Sequence, residues 1–461
     1  MSRQKRSRRR ATHAGATTMS AGTPAGTTAG GGGPIPPPGA PPFQLPFPLP
    51  PTFPPGVNPF TYKVEEVTRL LKSAAYFPIF NVPNPNNPNQ PVPLIPGLPF
   101  LQQYLMIAVE VNEQLHRFEV NVEAPTAGRG FRSSKAVGEP VANVHIRFTP
   151  IPNNFEAAPG LYPPPTILNP FVSQRFSMLD GQLSFMDADG SGFRAFGTAR
   201  SFPVSSQLGQ LRVGAVIDIL EGLGKLQGLS GTAVINGYIR PPNDLALNLM
   251  VRFMDPSGRL RARSRLAPIR PIADPDPDAV FLFFLGENDP DTPTQPILGP
   301  PGGPPMLGAH VHELLRLVHL GFDLGTASDL RSRTLEGPIV GRVDATLWFN
   351  AFDPRSVFPI QTTDGVFTFF DRGGQTVGSI NANMVEGRAM RTPLAGAPMD
   401  VYRFGGFGPL LGGAGQFAGA DGMMSMNSVI SLMPQALSNL YIFRLVDTDG
   451  RFRAAAQSAW S

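Results

Sequence analysis

The chain contains no cysteine in its 461 residues. Disulfides, thiolate catalysis and cysteine-ligated zinc are therefore excluded, although the compartment is left open. Long apolar runs are also missing. The densest, "AVFLFFL" (Ala279 to Leu285), is far too short for a helical membrane span, which needs about 20 residues. No apolar core of 7–15 residues separates the basic N-terminus from a cleavage site, so no secretory signal is read and a cytoplasmic location without a transmembrane segment is expected. Acidic residues are absent before Glu65, while "MSRQKRSRRR" carries six of the 38 basic ones. Without residues 1–60, 32 basic side chains face 34 acidic ones, so the body is nearly neutral and only the arm is cationic. No Gly-x-Ser-x-Gly elbow is found, which argues against a serine hydrolase.

Proline and glycine are abundant, at 53 and 50 residues, which marks a good part of the chain as something other than packed core. Residues 1–60 read as a disordered arm: a basic run, a Gly/Ala/Thr-rich spacer, then "PIPPPGAPPFQLPFPLPPTFPP", a polyproline II segment set with phenylalanines. The arm is a candidate contact for a polyanion or a protein partner; the alternative is a solvated terminus.

The glycine-rich stretch "GGAGQFAGADG" (Gly412 to Gly422) is not followed by Gly-Lys-Ser/Thr or by an amphipathic helix. It therefore lacks what a phosphate-binding loop requires. The pattern also occurs twice. Glycines at 222, 224, 228 and 231 reappear at 413, 415, 419 and 422, a constant offset of 191, and Asn236 and Asn427 continue the echo. "LMVRFMDPSGRLRA" (Leu249 to Ala262) matches "YIFRLVDTDGRFRA" (Tyr441 to Ala454), and "DGQLSFMDADG" (Asp180 to Gly190) matches "DGVFTFFDRGG" (Asp364 to Gly374). The chain thus holds a duplicated unit of roughly 120 to 150 residues.

Short alternating runs punctuated by Asp-Gly and Gly-Gly pairs predict seven or eight strands per copy, hence antiparallel barrels or sandwiches. In that setting the glycines of 412–422 are expected to shape a coiled barrel strand. Two helices are also predicted, over Tyr62 to Ala75 and over Ala309 to Gly321, from apolar residues on one helical face. The expected order is arm 1–60, helix and Pro/Asn-rich segment 61–97, first barrel 98–265, Pro/Asp-rich connector 266–308, helix and linker 309–335, and second barrel 336–461.

"GGAGQFAGADGMMSM", with "DGVFTFFDRGGQTVGSI" and "VEGRAM" before it, resembles the allene oxide cyclase and dirigent barrel superfamily, over about ninety residues of the second copy and more loosely in the first. The resemblance implies an all-β fold of two tandem eight-stranded antiparallel barrels, calycin-like, each with an apolar cavity. Members of the superfamily cyclise oxylipins or steer coupling of phenolic radicals. The resemblance carries no catalytic residue over to this chain.

Arg252 and Arg444 occupy matching places in otherwise apolar strands, Asn236 and Asn427 match on a neighbouring strand, and Asp187 and Asp371 match at a hairpin. With Tyr441 they form the candidate ligand-binding set. The competing reading is a structural Arg–Asp pair repeated with the fold, since an uncompensated buried charge is costly. "DADGSG" and "DTDG" resemble fragments of a calcium loop but lack the Glu at the twelfth position, and read as hairpin turns. His312 and His319, on a helix, would lie too far apart to chelate one ion, so no metal and no cofactor is expected. Two function classes remain: a non-enzymatic module that binds an apolar small molecule or acts as a scaffold, with homo-oligomers expected among its forms, and a cyclase or isomerase acting on an apolar lipid- or polyketide-like substrate.

Overall fold

A computed structural model describes the segments 64–71, 79–80, 83–84 and 87–91, and then 108–151, 174–203, 210–298 and 307–453 with short breaks in loops. The disordered arm expected over 1–60 lies outside the described residues, and so does most of the helix and Pro/Asn-rich segment expected over 61–97. What is described is all β. Strand β1 (Val64–Leu71) is followed by three short strands, β2 (Ile79–Phe80), β3 (Pro83–Asn84) and β4 (Asn87–Pro91). Next come β5 (Ala108–Glu123), β6 (Arg132–Ile151), β7 (Gln174–Phe185), β8 (Gly192–Pro203), β9 (Leu211–Leu223), β10 (Ser230–Arg240) and β11 (Asp244–Met254). From β5 to β11 each strand pairs with the next, antiparallel. Strand β1 pairs with both β11 and β5, and this closes an eight-stranded ring with no free edge.

The second ring repeats the first. It contains β12 (Ala279–Asn288), β13 (Gln295–Leu298), β14 (Leu307–Asp323), β15 (Arg331–Phe349), β16 (Val357–Phe370), β17 (Thr376–Ala382), β18 (Glu386–Thr392), β19 (Val401–Gly415), β20 (Gly422–Leu432) and β21 (Gln435–Val446). Strand β12 closes it by pairing with β21 and β14. One position is split: β17 and β18 both lie between β16 and β19. The two antiparallel eight-stranded barrels expected from the repeat are present, and the second one starts at Ala279 rather than at 336.

Both predicted helices are strands. Residues 64–71 form β1, because the open edges of β5 and β11 would otherwise be unpaired. Ring closure outweighs a local helical period. Residues 307–323 form β14. Along it Val311, Glu313, Leu315 and Leu317 are buried, and after register shifts between Leu315 and Val318 the buried set becomes Val318, Leu320 and Phe322. Before the bulge Val311, Leu315 and Leu317 face the second barrel's core, and after it Val318, Leu320 and Phe322 face the shared core and the first barrel. This change of buried parity half-way produces apolar spacings of three and four, which imitate a helix.

The connector assigned to 266–308 also holds a strand, β12. Its apolar run is continuous because both faces are covered. Val280, Leu282 and Phe284 enter the second barrel's core, while Phe281, Phe283 and Leu285 join the core shared by the two barrels.

The stretch 412–422 is only partly strand. Strand β19 ends at Gly415 and a turn carries the chain to β20. Gly415 and Gly419 have φ of 62° and 67°, and their matched partners Gly224 and Gly228 have 59° and 78°. These four of the repeated glycines are therefore turn residues in the left-handed region, while Gly222, Gly231, Gly413 and Gly422 lie in strands, as expected for residues that shape a barrel strand. Each turn drives one side chain back under its barrel: Leu226 in the first and Phe417 in the second, both fully buried.

A Cβ at Gly419 meets nothing within 4 Å, whereas one at Gly415 would lie 2.5 Å from the Val377 carbonyl oxygen. Gly419→Ala is expected to lose only the left-handed conformational preference, about 1–2 kcal/mol. Gly415→Ala should lose clearly more, and urea unfolding of the two variants compares them directly.

Candidate functional site

In a barrel strand successive side chains alternate between the interior and the outside. On β10 and β11 the apolar residues Ala233, Ile235, Leu249, Val251 and Phe253 belong to the first barrel's core. Asn236 and Arg252 have the opposite parity and point out of the barrel. Asn427 and Arg444 do the same on β20 and β21. All four are nevertheless buried, because the outer faces of β9 and β10 pack on those of β19–β21 and Arg252 of β11 reaches β20 and β21. Val216, Val234, Met250, Phe407, Met423 and Ile442 form the apolar part of this seam.

The matched asparagines cross the seam reciprocally. Asn236 Nδ2 donates to the Met423 carbonyl at 2.9 Å, and Asn427 Nδ2 donates to the Thr232 carbonyl at 2.7 Å. Thr232 and Met423 are themselves 191 residues apart, so the two contacts are related by a local two-fold axis, as in an isologous dimer. Gly214 and Gly405, also 191 apart, face each other's barrel. A Cβ at Gly214 would come within 2.1 Å of the Phe407 ring, and one at Gly405 within 2.9 Å of Val216 and Val234. The barrels approach this closely only because these two positions lack side chains.

The arginines are less symmetric. Arg252 donates from Nη1 to the carbonyls of Asn427 (2.9 Å) and Ser438 (2.7 Å), and from Nη2 to Ser438 Oγ (2.6 Å). Arg444 instead forks onto Asp276, with Nε–Oδ2 at 2.8 Å and Nη2–Oδ1 at 2.9 Å, and lies 4.8 Å from the Tyr238 ring centre. A second matched pair escaped the sequence reading, although it keeps the same offset of 191: Arg212 bonds Asp421, and Arg403 bonds the Gly231 carbonyl. Burial pulls both guanidiniums down to about 10, which leaves them charged at neutral pH.

The barrels also exchange their bases. Phe131, from the end of the β5–β6 hairpin of the first barrel, is buried in the second barrel's core. It packs edge-on against Phe284 and Phe369, at 5.7 and 5.3 Å between ring centres. Its backbone N–H donates to Gln416 Oε1 (2.7 Å), and Gln416 Nε2 donates to its carbonyl (2.8 Å). Leu330 and Phe322, from the equivalent hairpin of the second barrel, join the first barrel's core. Behind each plug the trailing chain adds a short parallel bridge, Ser133 to Arg453 and Arg261 to Ser332. Asp255 and Asp447 hold those trailing turns by accepting from the Leu260 N–H (2.7 Å) and the Phe452 N–H (3.2 Å).

The remaining candidates lie elsewhere. Asp187 caps a turn by accepting from the Ser191 N–H and Oγ (2.7 and 2.6 Å), and Asp371 does so from the N–H groups of Gly373 and Gln375 (2.8 and 2.9 Å). Tyr441 points into the second barrel, where its hydroxyl donates to the Glu313 carboxyl (3.1 and 3.2 Å) beside Asn439 Nδ2 (2.5 Å to Glu313). Desolvation raises the Glu313 carboxyl to about 8, against the lowering effect of the bonds from Tyr441 and Asn439. Glu313 was missed because the segment read as a surface helix. The seven candidates thus divide between the seam, two hairpin turns and one barrel interior, and do not converge on a single point.

No family model matches the chain. Neither the curated proteins nor the solved structures contain a match. Among the described residues no three His, Asp or Glu side chains are grouped to hold a metal ion, and no helix is long and apolar enough to cross a membrane. One surface cleft, of about 420 Å³, lies beside Asn112 and His145 and reaches Val144 of the first core; another, of about 490 Å³, lies beside Arg129 and His319 and reaches Leu317 of the second.

Two substitutions test the geometry. Phe131→Ala removes a ring that belongs to one barrel's chain and the other barrel's core, and is expected to cost about 3–5 kcal/mol. Hydrogen exchange should localise the loss to β12 and β16 rather than to β5 and β6. Arg444→Met strands Asp276 in the seam and should also cost about 3–5 kcal/mol, whereas a charge-free Arg444→Met/Asp276→Asn pair recovers much of the loss in chemical denaturation.

Proposed function

We propose that this chain is a non-enzymatic scaffold, in which two barrels of one type are joined as a single block and the basic, Pro-rich arm supplies the contact with a polyanion or protein partner. One observation carries the reading: three of the four matched Asn and Arg residues bond to the other barrel. Asn236, Asn427 and Arg252 spend their hydrogen bonds on the other barrel's backbone, and Arg444 is paired with Asp276. Aromatic and branched side chains occupy the interiors, with Phe193 and Phe253 in contact in the first barrel and Phe369, Phe417 and Phe443 clustered in the second. A barrel that contains its own side chains is a packed core, not a container. The kinship with allene oxide cyclase and dirigent barrels is part of this proposal and rests on the hairpin and glycine motif; under it, the chain keeps the barrel and not the cavity.

Native mass spectrometry of the full chain, purified from its own cells without detergent, tests the reading. The expected spectrum shows the bare chain or a defined oligomer. A reproducible small-molecule adduct released on denaturation overturns it.

A second reading, a cyclase or isomerase acting inside the second barrel, draws on Glu313. Held near 8, this carboxyl is protonated at neutral pH and is a proton donor in an apolar enclosure, with Tyr441 and Asn439 beside it. The first barrel has Leu247 and Leu249 in place of Asn439 and Tyr441.

The Glu313 carboxyl has a measurable signature under either reading. Its folded value lies above its ordinary 4.5, so between about pH 4.5 and 8 the native state binds more protons than the unfolded one. Its contribution to stability is complete below about pH 4.5 and is lost as pH rises through about 8. Thermal melts of Glu313→Gln are expected to lack that decline, so the difference from the unsubstituted chain grows with pH. Parallel melting curves across this range would show that Glu313 keeps an ordinary titration in the fold.

A further inference from the structure

We propose that His310 and His312 form a two-imidazole site for a borderline divalent transition-metal ion, Cu²⁺ best among them, on the outer face of the second barrel. The pair exists because β14 is a strand. On a helix, residues i and i+2 point to different sides. On a strand they share a face, roughly 7 Å apart along the chain. His310 and His312 both belong to the outward set of β14, opposite in parity to the buried Val311 and Glu313.

The neighbouring strand prepares both rings. His310 is paired with Thr346 and His312 with Asp344 in the β14–β15 register. His310 Nδ1 lies 3.1 Å from Thr346 Oγ1, and His312 Nδ1 lies 2.7 Å from Asp344 Oδ1. With Nδ1 engaged on each ring, Nε2 is the nitrogen left to bind an ion. A metal-ligating histidine ordinarily makes such a hydrogen bond through its other nitrogen, which fixes the tautomer and makes the ring a stronger donor. Asp344 is itself oriented by Arg342, with Nε 3.6 Å from Oδ2. It therefore orients a ligand and is not counted as one.

With no third His, Asp or Glu grouped here, two protein nitrogens bind and water completes the coordination. Imidazole with water suits copper, nickel and zinc, and within that series Cu²⁺ binds most tightly. His319 lies beyond the bulge and turns to the Val120 carbonyl, 3.0 Å from its Nδ1, so it is not part of the pair. The first barrel serves as an internal control. At the matched strand position Asn112 faces His145 (2.6 Å), and residue 110 is Glu, so the first barrel lacks the His-x-His pair.

The test is a Cu²⁺ titration of the full chain, followed by electron paramagnetic resonance. The expected result is one axial signal with two equatorial nitrogens, reduced to a single nitrogen by His310→Ala or by His312→Gln, each with an unchanged melting temperature. Asp344→Asn should weaken binding by about 10-fold or more while keeping the two-nitrogen signal. A two-nitrogen signal that survives the double variant His310→Ala/His312→Gln overturns the proposal and assigns the ion to other imidazoles. So does a single-nitrogen signal in the unsubstituted chain.

Discussion

A closed barrel buries one side of each strand and leaves the other to solvent. Here β9–β11 and β19–β21 bury both sides, because β9 and β10 pack against β19–β21 and side chains of β11 reach across to them. This double burial explains the features that set these strands apart. Gly214 and Gly405 are required where two sheets approach to van der Waals contact. Residues that would be ordinary surface polar groups on a lone barrel, such as Asn236 and Arg252, must find partners across the seam, since a buried donor without one is costly. The closing strand β12 is apolar at every position from Ala279 to Leu285 for the same reason: one face belongs to its barrel and the other to the shared core.

The exchanged bases make the two barrels thermodynamically dependent on each other. Phe131 is continuous in chain with the first barrel and in packing with the second, while Phe322 and Leu330 reverse that relation. Neither ring can be removed without exposing the base of its partner. The molecule is in effect a homodimer written into one chain, and its polar seam contacts keep the reciprocity such a dimer has. Where symmetry places no demand, the copies have diverged: Arg444 took Asp276 as partner, one strand of the second ring split into β17 and β18, and the second interior has Asn439 and Tyr441 where the first has Leu247 and Leu249, although a buried glutamate, Glu113 or Glu313, stands at the matched position in both.

That divergence bears on function. A seam built from side chain to backbone bonds holds two bodies in a fixed relation and has no need of a ligand. The buried carboxyl of Glu313 contributes nothing to that relation, and its partners Asn439 and Tyr441 have no counterpart beside the buried Glu113 of the first barrel. The body is close to neutral outside the arm, so any strong attraction to polyanions comes from residues 1–60.

The sequence by itself determined the fold class and the duplication. Asp-Gly turns and strand-length alternation are local signals, and the constant offset of 191 linked Gly224 to Gly415 and Asn236 to Asn427 without any structure. It also singled out Arg252, Arg444, Asn236 and Asn427 as matched polar residues in apolar strands, since a charge inside an apolar strand is conspicuous, but not Arg212 and Arg403. Tertiary structure decided what those residues touch. Alternation shows that Asn236 points away from its own core, but not that a second barrel covers it. Likewise β1 and β14 read as helices because the edge that captures β1, and the other barrel that buries the opposite parity of β14 beyond its bulge, depend on strands far away in the chain. Pairing and burial between distant segments leave no periodic trace in either segment alone, so only the assembled rings could turn a repeated polar residue into a contact between barrels.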